Sequence, residues 1–135
     1  MADIIVGPSD AIIYFAEAET IIKKGQAIFT MANGHIALAK ADSINTAKVI
    51  GLASEDIDLT AIGPYIKIGS IEMDNWNDVI GASELVPGSS YYLDVSVAGR
   101  LTSTAPTTAG QVVCPIGQAI STTTLILDIT SNILL

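Results

Sequence analysis

Cysteine and histidine occur once each, at Cys114 and His35, and six basic residues stand against fourteen acids. A single thiol closes no intrachain disulfide and makes no multi-cysteine zinc site. The net charge of -8 leaves no cationic footprint for nucleic acid or for an anionic membrane surface. No apolar run approaches the ~20 residues that span a bilayer. The stretch from Leu101 to Leu127 lacks charge, but Thr, Ser, Gln, Pro and Gly interrupt it throughout. Asp3 and Pro8 near the start, with no base before Lys23, do not read as a secretory signal. Charged residues make up 15% of the chain, against a typical ~25%. Half the residues are apolar, so the scarcity of charge does not mean disorder.

What the 135 residues do contain is β-branched. Ile, Val and Thr total 41, and such side chains suit a pleated surface. Eleven glycines and five prolines punctuate short apolar runs. The expectation is a mainly β chain: a compact β-barrel or β-sandwich-like domain over 11–135, with little helix. Residues 1–10 read as a separate arm, because Gly7-Pro8 cuts Ile4-Ile5-Val6 from the rest of the chain. The segment from Ile12 to Lys24 fits either helix or strands. Asp42 to Lys48 has room for one helical turn, capped by Asp42 or Ser43.

Two related β units are legible, at 23–71 and 86–129, with 72–85 connecting them. Gly25 matches Gly88, Gly34 matches Gly99, and Gly51 matches Gly117, in the same order. Ala27-Ile28-Phe29 stands over Ser90-Tyr91-Tyr92, and Ile36-Ala37-Leu38 over Leu101-Thr102-Ser103. Asn33-Gly34 predicts a tight hairpin with both residues at positive φ. A strand is expected over Tyr65–Ile71. Thr124 to Leu127 is nearly continuous in apolar character and predicts a strand buried on both faces. The matched glycines are expected to be structural, sitting at positive φ or against a close backbone neighbour.

Chemistry-bearing residues are few. His35 follows a turn, without a nucleophile-elbow pattern elsewhere in the chain. Cys114 has no base near it in sequence and reads as a small buried hydrophobe. Glu72, Asp74, Asn75, Asn77 and Asp78 suggest calcium, but Trp76 stands where an EF-hand loop needs its third ligand. Glu55, Asp56 and Asp58 form an acidic group with no sign of enclosure. No catalytic, cofactor or metal residues are assigned. Trp76, Tyr91 and Tyr92 read as core or as interface anchors. From Tyr91 to Leu135 the only charges are Asp94, Arg100 and Asp128, as on a face covered by a partner. Ile4, Ile5 and Val6 at one end, and Ile133, Leu134 and Leu135 at the other, read as adhesive segments.

Two stretches resemble phage virion proteins. Val49-Ile50-Gly51-Leu52-Ala53-Ser54-Glu55-Asp56-Ile57-Asp58, followed by Ile66 to Ile71, is similar to the head decoration (cement) proteins of tailed phages, with Ser70-Ile71 in place of a Glu-Val pair. Trp76 to Ile129, through Leu85-Val86-Pro87-Gly88, Tyr91-Tyr92-Leu93, Gly99 and Ile116-Gly117-Gln118-Ala119, resembles β modules of phage fibre and capsid-cement proteins. The resemblance implies a non-enzymatic virion protein, made in the host cytoplasm. It would oligomerise with itself, often as a trimer, and bind the major capsid protein on the capsid exterior, without cofactor, nucleic acid or membrane. The alternative is a tail-fibre or baseplate module that touches host glycans through an exposed Trp76, Tyr91 or Tyr92. A small enzyme built around His35 is a further class.

Overall fold

The computed structural model describes residues 12–135, so the arm at 1–10, with Ile4, Ile5 and Val6, lies outside the described residues. Strands β1 (Ile13–Glu17), β2 (Ala27–Thr30), β3 (Ile36–Leu38), β4 (Val49–Ala53) and β5 (Ile62–Ile66) form one antiparallel sheet, in the order β1-β5-β4-β2-β3. Strands β6 (Ile68–Glu72), β7 (Ser90–Leu93), β8 (Leu101–Thr102), β10 (Pro115–Ala119) and β11 (Thr124–Asp128) form a second, in the order β6-β11-β10-β7-β8. A two-stranded ribbon pairs β9 (Val112–Val113) with β12 (Ile133–Leu134). The one helix among the described residues is α1 (Asn77–Ile80), ended by Gly81 in the left-handed conformation. The chain is mainly β and sandwich-like. Its first sheet curls until β1 and β3 touch at a single bridge, Ala18 to Ile36, and does not close into a barrel.

The two sheets have one strand order, with β1, β2, β3, β4 and β5 replaced by β6, β7, β8, β10 and β11. The register corresponds as well. Gly51 faces Ile28 across one ladder and Gly117 faces Tyr91 across the other, with a bulge beside each. The Gly25 N–H donates to the Ala53 carbonyl at 2.8 Å, and the Gly88 N–H to the Ala119 carbonyl at 2.8 Å. Gly25 and Gly88 have φ of 90° and 85°, and Gly34 and Gly99 have φ of 86° and 81°. Gly51 and Gly117 are not at positive φ. A Cβ on either would strike a carbonyl oxygen of the next strand, that of Ile66 or Ile126.

Several local expectations need correction. The strand expected over Tyr65–Ile71 is two strands in different sheets. The chain bends at Lys67, and Gly69 sits at φ 127°, so β6 pairs with β11 rather than continuing β5. The 72–85 connector therefore begins inside β6. At the first hairpin only Gly34 is left-handed. Gly34 donates to the Met31 carbonyl at 2.9 Å and Met31 to that of His35 at 2.8 Å, a three-residue loop rather than a two-residue turn. Strand β11 is buried on one face only, since Leu125 and Leu127 point inward while Ile126 is 40% exposed. The ambiguous segment after Ile12 forms strand β1. Around Ser43, whose Oγ accepts from the Asn45 and Thr46 amides, Ala47 N–H closes one turn onto the Ser43 carbonyl.

Nineteen buried residues form the main core, drawn from both sheets. Ala27, Leu52 and Ile66 enter it from the first; Tyr91, Leu93, Leu125 and Leu127 enter it from the second. Six more, including Ile22, Ile28, Ile36 and Ile57, fill a smaller core inside the curl of the first sheet. Each fully buried Leu or Ile contributes about 1.5–3 kcal/mol, so the shared core dominates the stability.

Candidate interaction surfaces

The polar candidates do not converge. His35, on the loop before β3, reaches back to the end of β1. Its Nδ1 lies 2.6 Å from a Glu19 carboxylate oxygen and its Nε2 lies 3.6 Å from one of Glu17. The hydrogen bond to Glu19 raises the imidazole pKa above its ordinary value of 6.5. The three side chains are part-exposed and fasten the hairpin to β1. Cys114 is fully buried between β9 and β10, its Sγ 3.6 Å from the Ala47 carbonyl. Burial pushes the thiol up to about 11, away from nucleophilic chemistry at neutral pH. Glu55, Asp56 and Asp58 are exposed, and Asp56 accepts the Lys24 amide at 2.8 Å. Among the described residues, no three His, Cys, Asp or Glu side chains gather in a way that could hold a metal ion. No helix there is long and apolar enough to cross a membrane.

The aromatics named as interface anchors divide. Trp76 is fully buried ahead of α1, and its Nε1–H donates to the Thr123 carbonyl at 2.9 Å. Tyr91 is buried in the same core, its hydroxyl accepting the Val86 amide at 2.9 Å. Both belong to the chain's own packing, which corrects the anchor reading for them. An aromatic with a polar handle serves either role, and only the fold shows what it reaches. Tyr92 is half-buried on the outward face of the second sheet. There it lines an open depression of about 330 Å³ with Pro115, Gln118, Ile120, Ile126 and Asp128.

Besides single loop residues such as Ile21, Leu59 and Val86, apolar side chains are exposed on strands at three places among the described residues. Cross-strand pairs Ile13–Ile66, Phe15–Pro64 and Glu17–Ile62 put Ile13, Phe15 and Ile62 on the face whose inner part, Ile66, enters the main core. Phe15 is 67% exposed and Ile62 71%. Sequence reasoning left these residues out. The legible signal was an unbroken apolar run, Ala11 to Ala16, without the Lys or Pro that usually guards an edge. The second place is the outward face of the second sheet, where Ile68 pairs with Asp128 and stands 62% exposed beside Ile126. The third is the C-terminal strand, where Ile133, Leu134 and Leu135 are all exposed. It is not a free arm, because β12 pairs with β9 and the Leu135 carbonyl accepts the Gly110 amide at 2.8 Å.

No family model matches the chain, and no curated protein is significantly similar to it.

Proposed function

We propose that the chain is a non-enzymatic structural protein that works by binding protein surfaces, in its specific form a cement on the exterior of a phage capsid. The observation that carries this is the distribution of exposed apolar side chains. Ile13, Phe15 and Ile62 group on β1 and β5, and Ile68 and Ile126 on β6 and β11, while Ile21, Ile44, Leu59, Val86 and Val97 stand singly outside the strands. A cement bridges neighbouring shell subunits by contact area alone, and many copies add avidity. Charge-poor sheet faces provide such area, and the last 45 residues, with three charges, make up much of the second sheet. The major capsid protein is the expected partner, reached from the capsid exterior after synthesis in the host cytoplasm.

The fibre or baseplate alternative draws on Tyr92 in its depression. With Trp76 and Tyr91 in the core, the flanking Ile120 and Ile126 favour a protein over a sugar there. The test mixes purified chain with undecorated shells and counts retained copies by mass spectrometry, alongside the temperature at which shells rupture. Stoichiometric retention with a higher rupture temperature is expected. No retention, together with absence from purified virions, would overturn the cement reading.

A further inference from the structure

The Asn33-Gly34 pair that marks the first hairpin also carries chemistry that the turn does not use. Both residues are exposed on the loop between β2 and β3. The Asn33 carboxamide oxygen accepts the His35 amide at 3.0 Å. To reach a residue two ahead, the side chain runs forward past the peptide nitrogen of Gly34. That nitrogen has no Cβ beside it to block an approach. The bond that holds the side chain also stabilises negative charge on the carboxamide oxygen, as an oxyanion donor does. The amide nitrogen of Asn33 lies 3.4 Å from His35 Nδ1. The ring is held there by Glu19, 2.6 Å from Nδ1, and by Glu17, 3.6 Å from Nε2. The hydrogen bond to Glu19 keeps the imidazole protonated to a higher pH than usual.

We propose that Asn33 is a self-modification site: the folded chain converts it to aspartate and isoaspartate through a cyclic imide with Gly34, and His35 donates the proton that lets ammonia leave. The Gly34 nitrogen gives up its hydrogen bond to the Met31 carbonyl, loses its proton to solvent base and attacks Asn33 Cγ. The negative charge that develops on Oδ1 faces the His35 amide. The Cγ–Nδ2 bond then breaks, and Nδ2 departs as ammonia with the proton of His35 Nδ1, which solvent restores. Water opens the imide at either carbonyl, giving aspartate or isoaspartate. Asn75 shows what the site requires. Its Oδ1 accepts the Asn77 amide at 2.8 Å, the same type of bond, but the nitrogen between belongs to the buried Trp76, and the chain's one histidine is engaged at Asn33. Each conversion adds a carboxylate where Glu17, Glu19 and His35 fasten the hairpin to β1, and the isoaspartyl form lengthens the loop main chain by a carbon. The step does not depend on what the chain binds.

Peptide mapping by mass spectrometry on folded chain aged in neutral buffer measures it, with isoaspartate told from aspartate by fragmentation. Asn33 is expected to convert to both products while Asn75 stays an amide. His35→Gln keeps the backbone donor and removes the proton donor. It should slow conversion in folded chain by about tenfold or more. In urea the two chains should convert at one rate, since the ring no longer has a fixed place. Imidazole added to His35→Ala should restore part of the rate, a second reading if His35→Gln melts early. An unmodified Asn33 in folded chain, aspartate without isoaspartate, conversion of Asn75 at the same rate, a folded His35→Gln as fast as wild type, or no rescue by imidazole would each overturn the proposal.

Discussion

Gly51 and Gly117 differ physically from Gly34, although the sequence marks all three as structural for related reasons. At Gly34 the backbone is left-handed at φ 86° and a Cβ would meet open space. Gly34→Ala should therefore cost only the conformational penalty, roughly 1 kcal/mol. At Gly51 and Gly117 the φ is ordinary, but a Cβ would overlap the Ile66 or Ile126 carbonyl, which are backbone atoms held in a ladder. Gly51→Ala and Gly117→Ala should each cost about 2 kcal/mol or more, since a strand has to move. Urea midpoints for the three variants check this ordering, and a larger loss at Gly34 would contradict it. His35 gives a pH-dependent counterpart. The Glu19 hydrogen bond, helped by the charges of Glu17 and Glu19, raises its pKa above 6.5 in the folded chain. The folded state thus holds the proton more tightly than the unfolded state. The contribution is fully present below pH 6.5 and is lost as pH rises through the raised folded value. Glu19→Gln should lower the His35 midpoint in an NMR titration. The melting difference between that variant and wild type should vanish at high pH; an unmoved midpoint would show that the pair does not form.

Strand content was legible because β-branched residues and turn glycines report local conformation directly. Pairing partners were not. Tyr65 to Ile71 reads as one run, and nothing in its side chains shows that the bend at Lys67 sends β5 and β6 to different sheets. Ile126 reads as core beside Leu125 and Leu127, because an apolar residue on an open sheet face looks the same in sequence as one on a covered face. Trp76 and Tyr91 fail as interface anchors for the converse reason: their polar atoms find carbonyl and amide partners inside the chain. Cys114 reads as buried and is buried, and its position between β9 and β10 makes it a reporter for the packing of that region against the turn at Ser43 to Ala47. With the thiol pushed up to about 11, a thiol reagent at pH 8 should label native chain only through opening. The labelling rate should follow the unfolding rate as urea is added. Fast labelling in native buffer would place Cys114 at the surface.

Two sheets of matching order do not make two independent folding units here, because the larger core belongs to both. Hydrogen bonds cross between the halves at several points: Ala27 to the Gly99 carbonyl at 3.0 Å, Ala41 to that of Asp94 at 2.9 Å, and Val112 to that of Ala41 at 2.9 Å. Removing either half would uncover Ala27, Leu52 and Ile66 on one side or Tyr91, Leu93 and Leu125 on the other. Six buried residues, two of them alanines, remain to hold the first half alone. At about 1.5–3 kcal/mol for each large aliphatic, they fall short of the ~1–2 kcal/mol per residue lost in ordering a segment of that length. The whole chain should therefore unfold in one cooperative step. Trp76 makes this measurable. It is fully buried against the shared core, and Gly25 of the first half turns so close that a Cβ there would meet Met73, Val79 and the indole. Its fluorescence, the far-UV signal of all strands, and amide exchange at Ile28 and Ile57 in the smaller core should share one urea midpoint. Trp76→Phe removes the Thr123 hydrogen bond and some ring volume. It should cost about 1–3 kcal/mol of stability and lower the far-UV and amide-exchange midpoints of both halves together. A first half that keeps its exchange protection after the fluorescence transition is complete would show that the smaller core stands alone.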